Sequence, residues 1–132
     1  MKKILIDTNF LMVPWQFKVD IFSEFDRICH FNYQLYVFDK TINELENIVV
    51  NSGGKDKKAA QFALNLIKSK NIKIIKSGKK YVDLLLLENA DKDTVIATLD
   101  KKLKKELLKK GQAVIILRQK KYLQIAGGKV YK

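Results

Sequence analysis

The chain has 132 residues, of which 47% are hydrophobic, so it can bury the core of one domain but has no room for a second. Its 24 lysines and two arginines against 14 acids leave a formal net charge of +12, which favours a polyanionic partner held through its phosphate backbone rather than by base reading. The single cysteine, Cys29, excludes an intramolecular disulfide and a cysteine-rich zinc ribbon.

Apolar patterns predict alternating strands and helices along the chain. In chain order they are a strand at 3–6, a helix at 19–29, a strand at 35–38, helices at 42–49 and 59–67 joined by a turn at 51–55, a strand at 72–75, a helix at 81–90, a strand at 94–98, a helix at 101–110 and a strand at 113–117. The tail at 122–131, with Gly127-Gly128 in its middle, predicts a short hairpin. This alternation predicts one α/β domain over 1–132, a three-layer sandwich with a central, mainly parallel five-stranded sheet.

Two acids follow predicted strands closely. Asp7 comes after the first strand and Asp100 after the strand at 94–98, so both should lie where parallel strands end and ligands gather. Each acid has an alternative role as the N-cap of the segment that follows it. Asp91 and Asp93 precede their strand and should therefore lie at its opposite end.

The motifs, taken in order, resemble the fingerprint of the PIN-domain ribonucleases. The matching segments are Asp7-Thr8-Asn9 after the first strand, Thr41-Ile42-Asn43-Glu44-Leu45 in an early helix, Asp83 at the head of a later helix, and Ala97-Thr98-Leu99-Asp100 after a strand. Many relatives have Asn where Leu99 stands. Residues 10–24 look more like the branch related to the small-subunit processome endonuclease than like VapC toxins.

The resemblance implies that four carboxylates converge as catalytic residues and as ligands of Mg²⁺ or Mn²⁺. They are Asp7, Glu44, Asp83 and Asp100, supported by Thr8, Asn9 and Thr98. Such a cation suits the reaction, because phosphodiester cleavage builds negative charge and needs an activated water. Each residue also has a purely structural alternative. Glu44 would be a solvated acid, and Asp83 would interact with the dipole of its helix. Thr8 and Asn9 would be turn or cap residues, and Thr98 an ordinary strand residue.

Candidate RNA contacts lie in two segments. The basic cluster Arg118, Lys120 and Lys121 follows the last predicted strand, and Gln16 and Phe17 lie in the predicted loop after Asp7-Thr8-Asn9, where Phe17 would stack on an unpaired base. The alternative makes Trp15 and Phe17 packing or dimer-interface residues. For the lysines the alternative is a solvated surface, as in AT-rich or heat-adapted genomes.

We therefore expect a metal-dependent endoribonuclease in ribosomal RNA processing, leaving a 5′-phosphate and a 3′-hydroxyl as the family implies. The alternatives are a VapC-type toxin paired with an antitoxin, or a non-cleaving PIN-like scaffold that binds RNA. Expected partners are RNA, ribosome assembly factors or an antitoxin, and a second copy of the chain. The apolar run after Met1-Lys2-Lys3 breaks at Asp7, too short for a signal peptide, and no segment reaches the about 20 apolar residues of a membrane span, so the expected location is cytoplasmic.

Overall fold

The computed structural model describes residues 1–77 and 82–128, apart from the side chains of Asp83 and Leu84. One six-stranded sheet runs through it. The strands are β1 (Lys2–Ile6), β2 (Tyr33–Phe38), β3 (Lys73–Ile75), β4 (Thr94–Ala97), β5 (Val114–Arg118) and β6 (Tyr122–Ala126). Their order in the sheet is β3-β2-β1-β4-β5-β6, with β6 antiparallel to β5 and all other neighbours parallel.

Helices cover both faces of this sheet. They are α1 (Thr8–Leu11), α2 (Val13–Phe17), α3 (Ile21–Ile28), α4 (Asp39–Asn51), α5 (Gly54–Ser69), α6 (Val82–Glu88) and α7 (Lys101–Lys109). Because side chains alternate along a strand, Ile4 and Ile6 of β1 pack into the core beneath α1 to α5, whereas Leu5 packs into a second core with Leu86 and Leu107. The predicted three-layer sandwich with a mainly parallel sheet is confirmed.

The sheet has six strands where five are predicted. The predicted tail hairpin extends past the described residues, and its first arm, β6, pairs with β5. The turn between β5 and β6 has Gln119 and Lys120 at φ 53° and 55°, and the Lys121 N–H donates to the Arg118 carbonyl at 3.0 Å. Tight hairpin turns of this hand usually carry Asn-Gly or Asp-Gly, so the sequence contains no signal for the turn.

The predicted loop after Asp7-Thr8-Asn9 is wrong, because Gln16 and Phe17 belong to the short helix α2. Pro14 is in its first turn, where its fixed φ suits a helix and its missing N–H has no partner to lose. Lys18, at φ 57°, ends α2 in the left-handed conformation. A helix of five residues is too short to show an apolar period.

The long helices lie where the apolar patterns predict them. Ser52 and Gly53 separate α4 from α5, which confirms the predicted turn between two helices. The buried residues Ala59, Ala60 and Ala63 give α5 a smooth inner face, which lets it lie close to its neighbours. In the ranges that the structure describes, no helix is both long and apolar enough to cross a membrane.

The edge strand β6 is clamped to α3 by two side chains. Arg27 donates from Nε and Nη2 to the two carboxylate oxygens of Glu24, at 2.9 Å each, and Nη2 also donates to the Leu123 carbonyl at 2.8 Å. The Leu123 N–H in turn donates to Glu24 Oε1 at 2.8 Å. These contacts occupy outward backbone groups of Leu123, which would otherwise be free to pair with another strand.

We expect Glu24→Gln to lower the melting temperature at neutral pH by about 3–5 °C, since a charge-assisted bond of about 1 kcal/mol is lost. The Arg27 hydrogen bond, with the Leu123 N–H, holds the pKa of Glu24 below its usual value. A lowered pKa stabilises the fold above the unfolded value of about 4.3 and stops doing so as the pH falls through the folded value. Thermal melts from pH 7 to pH 3 should therefore show the two proteins converging in acid.

Glu46→Gln is the matched control, because Glu46 is an exposed acid on α4. Equal losses in both variants would contradict the clamp.

Candidate functional site

The carboxyl ends of the parallel strands all lie at the same end of the sheet, which we call the carboxyl rim. Asp7 directly follows β1, and Thr98 directly follows β4. The register pairs Ile6 with Ala97, and the Asp7 N–H donates to the Ala97 carbonyl at 2.9 Å. The first residues beyond the two strands are therefore brought side by side.

Asp7 is held by hydrogen bonds from both of its neighbouring elements. Its Oδ1 accepts from the Thr8 N–H at 2.8 Å, as the N-cap of α1, and its Oδ2 accepts from the Thr98 hydroxyl at 2.8 Å. Burial raises the pKa of the Asp7 carboxyl, the hydrogen bonds from Thr98 and Thr8 oppose this rise, and the charges of Glu44 and Asp100 add to it. Asp7 is thus a largely buried carboxylate within electrostatic range of two others.

Glu44 reaches the same region from α4 through a chain of hydroxyls. The Thr8 hydroxyl lies 2.5 Å from Glu44 Oε1 and 3.2 Å from the hydroxyl of the fully buried Thr41, one turn before Glu44 on α4. A hydroxyl has one proton and an ionised carboxylate only accepts, so Thr8 donates to Glu44 and Thr41 donates to Thr8. This chain joins the helix that Asp7 begins to the helix that carries Glu44.

Asp100 fills the cap role that its position allows. Its Oδ1 accepts from the N–H groups of Lys102 and Leu103, at 2.9 and 3.1 Å, as the N-cap of α7. The Asp100 N–H donates to the Thr98 hydroxyl oxygen at 3.1 Å, while that hydroxyl donates to Asp7. Thr98 is therefore a buried bridge between two of the predicted site acids, and its hydroxyl points at the site.

Other predicted residues are less closely tied to this centre. Asp83 is the second residue of α6, but its side chain lies outside what the structure describes. Among the side chains that are described, no group of three or more His, Cys, Asp or Glu residues is close enough to hold a metal ion. Asn9 is exposed on α1. Asp93 lies at the opposite end of β4, where its carboxylate is 3.3 Å from Lys2 Nζ, and Asp91 accepts from the Asp93 N–H at 2.8 Å.

Sequence reasoning missed an acid at the carboxyl rim. Asp39 directly follows β2, and its Oδ1 accepts from the N–H groups of Lys40 and Ser77 at 2.9 and 3.1 Å and from the Ser77 hydroxyl. The Ser77 hydroxyl is the main reason why the pKa of Asp39 is lowered. The rule that selected Asp7, an acid directly after a strand, also selects Asp39. Here the acid joins the start of α4 to the segment after β3.

The predicted RNA contacts come together beside the same rim. Arg118 is the exposed last residue of β5, and Lys120, in the turn after it, has its Nζ 5.5 Å from the centre of the Phe17 ring. Gln16 and Phe17 line a surface groove of about 670 Å³ between α2 and the start of α5. Lys121 is exposed beside Lys120. The two segments, a hundred residues apart in sequence, thus form one surface.

Comparison with known proteins identifies relatives along nearly the whole chain. Residues 4–120 match the family described as "PIN like domain". The chain is 32% identical over 129 residues to Ribonuclease VapC4 of Methanocaldococcus jannaschii, covering 96% of this chain and 98% of that protein. It is 29% identical over 119 residues to Ribonuclease VapC9 of Archaeoglobus fulgidus, covering 89% and 84%.

Solved structures share the fold. The PIN domain endonuclease Utp24 is similar with a TM-score of 0.72 at 21% identity, over 95% of this chain and 91% of that chain. A domain of a functionally unknown protein from Methanocaldococcus jannaschii has a TM-score of 0.60 at 15% identity, over 89% and 92%. At these identities the likeness concerns the fold alone.

We expect Thr8→Val to cost about 1–3 kcal/mol of unfolding free energy, because it leaves the buried Thr41 hydroxyl without its partner. The double variant Thr8→Val/Thr41→Val removes both hydroxyls at nearly constant volume and should be more stable than Thr8→Val alone. Urea denaturation of the three proteins measures this coupling. Additive losses would show that the two threonines are energetically independent.

Proposed function

The chain belongs to the PIN-like domain family, and from that premise we propose that it is a metal-dependent endoribonuclease, a hydrolase that cuts RNA phosphodiester bonds with Mg²⁺ or Mn²⁺. The observation that carries the proposal is the set of oriented carboxylates at the carboxyl rim. Asp7 is held by two threonines, one of which also orients Glu44 while the other contacts Asp100. A cluster of like charges around a buried carboxylate is destabilised unless a cation joins it.

The chemistry of the donor set suits a hard divalent cation. All the acids offer oxygen, the ligand that Mg²⁺ and Mn²⁺ prefer. We assign the ligand role to Asp7, Glu44, Asp83 and Asp100, with Thr8, Asn9 and Thr98 in support. A cation bound there would lower the pKa of a water molecule and neutralise charge on the phosphoryl oxygens.

The hydrogen bonds leave each described carboxylate able to bind. Glu44 accepts from Thr8 through Oε1 and Asp100 accepts its cap bonds through Oδ1, and no hydrogen bond within the described ranges occupies the second oxygen of either carboxylate. Asp7 uses one lone pair on each oxygen and keeps others. The acids are thereby oriented before any ligand arrives, which lowers the cost of assembling a site.

Asp83 enters this set through its place on α6. The helix α6 precedes β4 in the chain, and β4 begins at the end of the sheet opposite the carboxyl rim. The chain must return from the carboxyl rim, where β3 ends, to the other end of the sheet, where β4 begins, and this direction supports a first turn of α6, with Asp83, near the rim. The same topology puts Asp91 and Asp93 about 13 Å away, the length of a four-residue strand at about 3.3 Å per residue.

RNA fits the charge of the surface around this rim. We assign RNA contacts to Gln16, Phe17, Arg118, Lys120 and Lys121, which meet beside it. A net charge of +12 attracts a polyanion over a long range, and lysines bind phosphates without reading sequence.

Two cellular roles are compatible with this chemistry. Ribosomal RNA processing is supported by the resemblance of residues 10–24 to the processome branch and by the fold shared with the Utp24 endonuclease. A toxin of the VapC type is supported by the 32% identity to Ribonuclease VapC4 over nearly both full lengths. If expression of the protein arrests growth, and an antitoxin encoded beside the gene relieves that arrest, the toxin role is favoured. Accumulation of precursor ribosomal RNA after deletion would favour processing, with ribosome assembly factors as partners.

Asp7→Asn should abolish metal-dependent cleavage of a labelled RNA oligonucleotide while leaving the circular dichroism spectrum unchanged. Removing a residue that only supports a metal ligand lowers activity about 10- to 100-fold. The loss of cleavage rate in Asp7→Asn should be larger, because the charge of a ligand itself is removed. Asp93→Asn removes the same charge at the opposite end of the strands, and this variant should cut RNA at the wild-type rate.

Wild-type rates in Asp7→Asn would reject Asp7 as a ligand. Wild-type protein that binds RNA but cuts it with neither metal would instead support a non-cleaving scaffold.

Replacing Arg118, Lys120 and Lys121 together with Ala should weaken binding of all RNA sequences alike. Three lost phosphate contacts should reduce the slope of log K against log salt by about 2, at about 0.7 per phosphate. Lys73, Lys109 and Lys110 are three exposed lysines on other parts of the surface, so their triple Ala variant is the control. A change in sequence preference, measured by fluorescence anisotropy with metal chelated, would mean that the first cluster reads bases.

A further inference from the structure

The Asp39 side chain joins two segments that lie far apart in the sequence and meet at the carboxyl rim. Asp39 is the first residue of α4, and its Oδ1 accepts from the Ser77 N–H at 3.1 Å and from the Ser77 hydroxyl. Ser77 lies two residues beyond β3 and 38 positions after Asp39. Both hydrogen-bond donors of Ser77 thus point at one carboxylate oxygen. We call this the Asp39–Ser77 contact.

We propose that Asp39 and Ser77 are positioning residues for the metal site. Their contact holds the segment after β3 against α4, the helix that carries Glu44, and the chain continues from that segment to α6 and Asp83. The contact should raise the affinity for a divalent cation although neither residue ligates it. This inference rests on the proposed ribonuclease function and deepens it, because it adds two residues outside the assigned ligand set.

Hydroxyl side chains join the other assigned acids in the same way. Thr98 donates to Asp7 and accepts from the Asp100 N–H. Thr8, the residue after Asp7, donates to Glu44. These bonds connect the end of β1 with the start of α7 and with α4. The Asp39–Ser77 contact adds the segment after β3, so hydroxyl groups join all the parts of the chain that lead to the four assigned ligands.

The segment after β3 has few apolar contacts that could fix it by themselves. β3 has only three residues, lies at one edge of the described sheet beside β2, and exposes 52% of Ile74. Carboxylates at the rim repel one another, so the elements that carry them tend to move apart when no cation is bound. Hydrogen bonds to a charged carboxylate are about twice as strong as neutral ones. The Asp39–Ser77 contact is therefore suited to oppose this separation.

A purely structural alternative for Asp39 is an interaction with the dipole of α4, because the acid lies in the first turn of the helix. The dipole requires no particular partner, whereas Oδ1 accepts from the Lys40 N–H at 2.9 Å and from both donors of Ser77. The Ser77 hydroxyl also holds the pKa of Asp39 below its usual value, so the carboxylate is charged at neutral pH. Loss of a dipole interaction would lower stability alone, whereas loss of a positioning contact would also lower metal affinity.

Binding of Mn²⁺ to the RNA-free protein, measured by isothermal titration calorimetry, tests the contact independently of cleavage. Ser77→Ala should weaken Mn²⁺ binding about three- to tenfold, less than the about 10- to 100-fold caused by removing a residue bonded directly to a ligand. Asp39→Ala should weaken it at least as much. The double variant should lose no more than Asp39→Ala, because both changes remove one contact. Ser77→Thr keeps the hydroxyl and should bind Mn²⁺ as the wild type does.

Cleavage of RNA as a function of Mn²⁺ concentration gives a second measurement. Ser77→Ala and Asp39→Ala should need correspondingly more Mn²⁺ for half-maximal cleavage. At saturating Mn²⁺ both should reach the wild-type rate, because the assigned ligands are intact. This separation of metal affinity from maximal rate distinguishes a positioning residue from a ligand.

Asp20→Ala is the matched control. Asp20 caps α3 and accepts from the Ser23 N–H at 3.2 Å and from the Ser23 hydroxyl at 2.7 Å, so the variant loses the same kind of contact within one helix. It should lower the melting temperature as the other variants do, yet bind Mn²⁺ as the wild type does. Equal weakening of Mn²⁺ binding in Asp20→Ala would mean that metal affinity only follows the stability of the fold, and the positioning role would be overturned.

The remaining outcomes separate this proposal from the ribonuclease proposal. If Asp39→Ala abolishes cleavage at every Mn²⁺ concentration while Ser77→Ala behaves as the wild type, Asp39 is itself a ligand and the positioning role fails. If the wild type binds Mn²⁺ and cuts RNA but both variants bind Mn²⁺ as tightly, the positioning role is overturned and the ribonuclease proposal stands. Wild-type protein that neither binds Mn²⁺ nor cuts RNA would reject both proposals.

Discussion

The carboxyl group of Asp7 lies where a buried strand gives way to a helix, and two threonines hold it there. Burial makes its charge costly, and the acids nearby raise that cost. The partners come from different parts of the chain, Thr8 from the helix that Asp7 begins and Thr98 from the end of β4. Their meeting depends on the parallel register of β1 and β4, because it sets the first residues beyond the two strands side by side.

The charge of the whole chain and the charge at the carboxyl rim have opposite signs. Over the whole chain the field is strongly positive and draws in polyanions, whereas the carboxyl rim concentrates acids that would repel a phosphate at close range. A divalent cation bound between acids and phosphate would resolve that conflict, since it would neutralise both. The basic chain and the acidic rim are therefore complementary parts of one proposed site.

The hairpin of β5 and β6 connects the rim to the groove between α2 and the start of α5. Glu24 and Arg27 hold Leu123 of β6 on α3, and the same hairpin carries Lys120 to Phe17. An antiparallel strand appended to a parallel sheet thus does more than complete the sheet, because its turn joins the end of β5 to the helices that follow Asp7. The clamp also protects the exposed edge of the sheet from pairing with another chain.

Local patterns in the sequence were sufficient to predict the strands of the parallel sheet and the long helices. They also predicted that Asp7 and Asp100 lie beyond the ends of strands. Apolar periodicity reports which face of each element is buried, and a charged residue after an apolar run marks the end of the strand. These features depend on residues within a few positions of one another, so they can be read along the chain.

Contacts between distant residues were decided only by the tertiary structure. The pairing of Asp39 with Ser77, the chain from Thr41 through Thr8 to Glu44, and the approach of Lys120 to Phe17 join segments 33 to 103 residues apart. The turn at Gln119 and the pairing of β6 with β5 also escaped prediction, because left-handed residues that are neither Gly nor Asn carry no local signal. Sequence thus determined which groups lie at the ends of the elements, and packing determined which of those groups meet, because hydrogen bonds and ring contacts depend on distances in space that no local period encodes.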